Sequence, residues 1–179
     1  MSFHVFLVII VAAFLHAIWN AMVKYEKDKY LAVGAIVLGH VPASIVIIFL
    51  TPFPSVESIP YIIISAILHI GYEWNLLSAY RFGDFTKVYP IARGTGPTLV
   101  TIISLIFLGV VLSNFETLGI LIICLGIFVL AFQDIDVLKN RKAVLYAFLT
   151  GFFIMSYSVI DGYGARASFS PLSYIGWSF

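Results

Sequence analysis

The chain has 179 residues, is 61 % hydrophobic and only 11 % charged, and has a mean hydropathy of +1.05; a soluble domain is usually about 45–50 % apolar and roughly 25 % charged. So little polar surface cannot cover a water-soluble globule, which leaves lipid as the solvent. A net charge of +1 excludes a nucleic-acid partner, since no basic patch could neutralise several phosphates. The lone Cys124 excludes intrachain disulfides and cysteine-based metal sites.

Charges divide the chain into apolar runs. Phe3–Val23 carries no Asp, Glu, Lys or Arg and ends at the cluster Lys24, Glu26, Lys27, Asp28, Lys29. Residues 1–4 lack the positive n-region of a signal peptide, and the run is long enough to span, so it is expected to be a retained helix. Tyr30–Val56 is the second charge-free run, with Pro52 and Pro54 marking its exit. The third covers Ile59–Tyr80 and contains Glu73; the fourth covers Lys87–Leu112 and contains Arg93. Thr117–Gln133 is the fifth, Ala143–Tyr163 the sixth, and Pro171–Phe179 begins another run too short to cross. A crossing takes about 20 residues at roughly 1.5 Å rise each. The expected fold is therefore an all-α integral membrane bundle of about six transmembrane helices plus a partial seventh.

A transmembrane barrel would show alternating segments of about ten residues with polar lumen positions. The run from Thr117 to Phe132 is instead apolar on every face, and its Gly119 and Gly126 are small positions where neighbouring helices could approach closely. Eight of the ten basic residues fall in the loops after the first, third and fifth spans, which taken alone places those loops in the cytoplasm and the N-terminus outside.

Ionisable groups inside spans are the strongest functional pointers, because each costs about 2.5–3.5 kcal/mol at the span centre on insertion scales. Glu73 stands one helical turn after His69, on the same side of the third span, and Arg93 sits roughly two turns into the fourth. Glu73 and Arg93 are expected to face a shared internal cavity, where they can pair. The alternative is that Arg93 snorkels to the interface and Glu73 only locks two helices together. On the first span His16, Trp19 and Asn20 interrupt an apolar helix, either to line the cavity or to hydrogen-bond between helices. His40, two residues before Pro42, is suited to satisfying backbone freed by the proline. Tyr157, Ser158 and Asp161 make a comparable polar stripe on the sixth span, with Asp161 close to its boundary.

The string YPIARGTGP, Tyr89 to Pro97, holds two prolines and two glycines in nine residues, a composition that disfavours a straight helix. Loosened backbone beside Arg93 suits an anion or carboxylate contact; a kink that only improves packing is the other reading. It is not a phosphate-binding loop, lacking a preceding strand and a Gly-Lys-Ser/Thr ending. Four histidines on separate segments give no metal set, no catalytic triad can be assigned, and neither an enzyme nor a cofactor is expected.

The segments LHAIWNAMVK (Leu15–Lys24), AYRFGDFTKVYPIARGTGP (Ala79–Pro97) and YSVIDGYGARAS (Tyr157–Ser168) resemble the EamA type of the drug/metabolite transporter superfamily. The likeness runs over essentially the whole chain. It implies ten helices in two five-helix repeats of opposite topology, with a small-molecule substrate crossing a central cavity by alternating access. On that basis residues 1–134 correspond to the first repeat and residues 141–179 to the start of a second. Shifting the first span by 138 residues lays Phe14 on Phe152, Trp19 on Tyr157 and Asn20 on Ser158. The record is then expected to be truncated within the second repeat, with a homodimer or a partner chain closing the cavity if the short form is real. Small multidrug relatives carry an acidic residue in the first helix, where this chain has only His16 as a central titratable group; drug–proton exchange by that route is not implied. Family members are usually drawn with both termini in the cytoplasm, against the loop count. The expected function is a plasma-membrane (inner-membrane) carrier exporting a small metabolite, with His16, Trp19, Asn20, His69, Tyr72, Glu73, Tyr89, Arg93 and Tyr157 lining its cavity. The alternative is a non-transporting helical assembly partner or half-subunit.

Overall fold

The computed structural model describes residues 3–25, 28–107, 109–132 and 140–179; a number of side chains within these segments, including those of His16, Trp19 and Asn20, fall outside the described part. Every regular element among the described residues is helical: α1 (Phe3–Tyr25), α2 (Lys29–Leu50), a 3-10 turn (Val56–Ser58), α3 (Ile59–Phe82), α4 (Phe85–Phe107), α5 (Asn114–Phe132), α6 (Arg141–Ala167) and α7 (Pro171–Ser178). Four are long and apolar enough to cross a membrane, over Tyr30–Leu50, Val56–Phe82, Val88–Phe107 and Arg141–Ala167. The chain is a helical membrane protein.

The helices start and stop where local chemistry dictates. Asp28 Oδ1 accepts from the backbone N–H groups of Tyr30 and Leu31 at 2.9 and 3.1 Å, satisfying two free donors at the start of α2. That helix ends at Leu50 rather than running on to Val56, since Pro52 and Pro54 cannot continue it. Asp84 Oδ1 accepts from Thr86 N–H and Oγ1 at 2.8 and 2.6 Å, at the start of α4. Ser113 and Glu116 form a reciprocal cap on α5: Glu116 Oε2 accepts from Ser113 N–H and Oγ, each at 2.8 Å. Past the end of α4, Gly109 adopts φ 63°, a backbone that favours glycine, and the Val110 N–H returns to the Ser104 carbonyl at 3.2 Å.

The chain divides into two compact units, Met1–Leu38 and Gly39–Phe179. The first holds α1 and the opening turns of α2, and every described side chain from Phe3 to Leu15 is exposed.

In the second unit α6 is the central element. It packs along both α3 and α4, while α5 lies against α4 and α7 against α3 and α6. The buried row Ala143, Ala147, Thr150, Gly151 and Ile154 explains this role: one face of α6 is almost free of bulk, so two helices can approach it closely. The core gathers Tyr72, Leu76 and Ala79 from α3, Val88, Ile91 and Ala92 from α4, and Ala143, Ala147 and Ile154 from α6. At Gly151 an added methyl would overlap the Thr95 side chain and lie 3.1 Å from the Ala92 carbonyl oxygen, so the α4 backbone itself rests on this glycine. The close approach expected at Gly119 and Gly126 is absent: nothing among the described atoms lies within 4 Å of where their Cβ atoms would be.

Hydroxyls tie the far end together. Ser55 Oγ donates to the Ala167 carbonyl at 2.6 Å, and Ser173 Oγ donates to the Pro52 carbonyl at 2.7 Å. Tyr174, almost completely buried, donates to Asp161 Oδ1 at 2.9 Å. Asp161, expected to mark only a span boundary, thus holds the short α7 against α6.

The prolines of Tyr89–Pro97 do not unwind α4, contrary to the expectation of loosened backbone; the helix is continuous from Phe85 to Phe107 with Pro90 and Pro97 inside it. Pro90 lies in the second turn of α4, beyond the Val88 N–H that already bonds the Asp84 carbonyl, so each proline removes one helix hydrogen bond without breaking the helix. Around Pro97, Thr95, Thr98 and Thr101 donate their hydroxyls to the carbonyls of Ile91, Gly94 and Pro97 at 2.8, 2.8 and 2.9 Å. These are not the carbonyls that the prolines leave without an N–H partner, which are those of Thr86 and Arg93, four residues before Pro90 and Pro97.

Candidate functional site

Of the nine residues expected to line a cavity, six lie in the second unit and converge where α3, α4 and α6 meet: His69, Tyr72 and Glu73 on α3, Tyr89 and Arg93 on α4, and Tyr157 on α6. His16, Trp19 and Asn20 stand on α1, and their side chains lie outside the described residues.

Arg93 is the centre of the cluster. Its Nη2 donates to the Tyr72 hydroxyl at 3.3 Å. Its guanidinium carbon lies 5.9 Å from the Tyr72 ring centroid and 5.6 Å from that of Tyr89. Two aromatic rings near one guanidinium replace part of its hydration with ring quadrupoles, a favourable contact in a dry setting. Tyr89 and Arg93 owe their common face to the four-residue spacing within α4. Tyr72 reaches them across the α3–α4 contact.

Glu73 follows Tyr72 on α3 and is half-buried. Its Oε2 is buried without a hydrogen-bond partner, and so is Arg93 Nε. One donor on α4 and one acceptor on α3 are thus buried and unmet, while the direct bond from Arg93 goes to a tyrosine. Arg93 is held against the rings of Tyr72 and Tyr89.

His69 and Tyr157 complete the wall. Their rings stack with centroids 4.1 Å apart and an interplanar angle of 25°, and Tyr72 meets Tyr157 edge-on at 5.8 Å. His69 Nδ1 lies 2.9 Å from the Ser65 carbonyl oxygen. A carbonyl can only accept, so the Nδ1 proton is donated there and Nε2 remains available to another partner. Phe179 packs edge-on against His69 at 5.4 Å and lies 5.5 Å from His40. His40 therefore has an aromatic neighbour beyond the proline-related role expected for it.

Sequence reasoning missed Tyr80, Ser65 and Phe179. Tyr80 packs against the core and lies within electrostatic reach of Arg93, Tyr72 and Tyr89. Its spacing of seven residues from Glu73 was the available signal, since seven residues bring a helix back to nearly the same face. Ser65 was signalled in the same way by its four-residue spacing from His69.

The cluster can do three things chemically. Arg93 can engage an anionic oxygen, Glu73 can accept a proton or a donor group, and the rings of Tyr72, Tyr89 and Tyr157 can cover a flat or apolar body. Among the described residues no group of three His, Cys, Asp or Glu side chains is placed to hold a metal ion. Comparison with family models, with curated proteins and with solved structures finds no match to this chain.

Proposed function

We propose that this chain is a multi-pass secondary carrier of the plasma (inner) membrane that exports a small metabolite by alternating access, of the EamA type its motifs resemble. In this reading α1 to α6 all cross the bilayer, α7 opens a further segment, and α1 to α5 form one repeat of an inverted pair. The observation that carries the reading is the Arg93–Glu73 region: two ionisable side chains on adjacent helices, each with a buried polar atom left unbonded, enclosed by Tyr72, Tyr89 and Tyr157. Charged groups inside a membrane are expensive, and a purely structural pair would bond directly. A site that leaves both groups partly unmet is suited to a polar solute that passes through and leaves again.

The test is release of compounds from reconstituted vesicles loaded with an isotope-labelled cell extract, read by mass spectrometry. The wild-type chain should release a small set of solutes that empty vesicles retain. Arg93→Ala should abolish that release while inserting into the membrane to the same extent. Unchanged release in the variant removes Arg93 from the path. An absence of any release by the wild type, with the chain in a stable oligomer, would favour the assembly-partner reading.

A further inference from the structure

We propose that the joined ends of α3 and α6 form a binding site for the headgroup of an anionic phospholipid, separate from the Arg93 cluster. The last turn of α3 brings Arg81 and the first turn of α6 brings Lys142 to one aromatic ring. The Arg81 guanidinium carbon lies 5.9 Å from the Phe82 centroid, and Lys142 Nζ lies 5.5 Å from it. Phe82 is fixed in turn. Its ring stacks on Tyr146 at 5.6 Å and 7°, and its carbonyl accepts a hydrogen bond from the Asn140 side-chain amide.

Asn140 Oδ1 also accepts from the Ala143 N–H at 3.3 Å, so the residue that caps α6 also binds it to the end of α3. Lys142 is thus brought to the ring beside Arg81 by a tertiary contact between distant segments, Arg81 being the neighbour of Phe82 on α3. Arg141 adds a third positive charge beside them, and all three side chains are exposed.

What points to a lipid is the surface next to the charges. Arg141 heads an exposed row at helical spacing, Leu145 and then Phe148, 57 % and 53 % exposed. A ligand with a phosphate at one end and hydrocarbon at the other matches cations that open onto an apolar helix face. Basic pockets between membrane helices bind anionic headgroups in this way, and aromatic rings settle at the same level of the bilayer. Free inorganic phosphate would meet the cations but leave the apolar row unused.

The experiment uses the whole chain in detergent, titrated with phosphatidylglycerol or with phosphatidylcholine and read by native mass spectrometry. Phosphatidylglycerol should be retained preferentially. The double variant Arg81→Gln/Lys142→Gln should lose that preference, at about fivefold per cation removed, while Arg81→Lys/Lys142→Arg should keep it. Should the glutamine variant fail to fold, the wild type alone decides. Its preference for phosphatidylglycerol must weaken as salt rises, and millimolar inorganic phosphate must not displace the lipid. Equal retention of the two lipids, a preference indifferent to salt, or displacement by phosphate alone would each overturn the proposal.

Discussion

Arg93 on α4 gives its hydrogen bond to the Tyr72 hydroxyl on α3, although Glu73 is the next residue along the same helix and keeps a buried oxygen unbonded. The tyrosine holds the guanidinium in place without neutralising it. Tyr72→Phe should therefore leave the chain folded and inserted but lower solute release from vesicles on the order of tenfold, as loss of a hydrogen bond to a charged group, about 1.5 kcal/mol, would. Release equal to wild type would show that Arg93 is held by its ring contacts alone.

Glu73→Gln keeps the shape of the side chain and removes its charge. If Glu73 couples transport to protons, the variant should release solute at a rate that no longer changes with pH, while the wild type responds. A variant whose release follows the wild-type pH profile would remove the coupling role and leave Glu73 as a helix-locking residue.

Gly151→Ala places a methyl where the Thr95 side chain and the Ala92 carbonyl already sit. Because the obstacle includes backbone, α4 must shift away from α6, with an expected loss of about 1–3 kcal/mol. Thermal unfolding in detergent micelles measures this. Gly119→Ala serves as the control, since no described atom stands within 4 Å of its added carbon, and it should unfold like the wild type.

The cap on α5 predicts a pH effect outside the membrane-spanning segments. Hydrogen bonds from the Ser113 backbone and hydroxyl hold the Glu116 carboxyl below its usual range. A carboxylate lowered on folding stabilises the folded state at every pH above its unfolded value and loses that effect as pH falls through its folded value. Amide exchange in the first turn of α5 should therefore accelerate once pH drops below the ordinary glutamate range, beyond the intrinsic change in exchange rate. Glu116→Ala should show the faster exchange already at neutral pH. The same profile in both chains would refute the coupling.

The order of the helices was legible because charge or proline separates the apolar runs, but their extents were not wholly so: the second run reached Val56 and the fourth Leu112, whereas α2 ends at Leu50 and α4 at Phe107. The expected third span opens at Ile59, where α3 opens, and the short run from Pro171 is α7. The grouping of His69, Tyr72 and Glu73 was legible too, from three- and four-residue spacing on one helix. Which helices would meet was not. Helices apolar on nearly all sides carry no amphipathic stripe to say what each one faces. The stacking of Tyr157 on His69 depends on the small-residue face of α6, and the sequence places glycine on α5 just as conspicuously. The prolines of Tyr89–Pro97 misled because a proline inside a helix removes one hydrogen bond but need not end it, and α4 runs through both.

The place of α6 also bears on how the protein is made. α3 and α4 touch each other far less than either touches α6, so on leaving the ribosome they have little to hold them together. At about 5–20 residues per second, synthesis needs on the order of several seconds to carry the chain from the end of α4 to the end of α6. During that interval Arg93 and Glu73 stand on helices still without the α6 face, and His69 and Tyr72 without the Tyr157 ring that packs against both. The insertion machinery or a chaperone must shelter two charged helices until their shared partner arrives, and a slow codon or a nonsense mutation before Ala167 would leave them exposed to quality control.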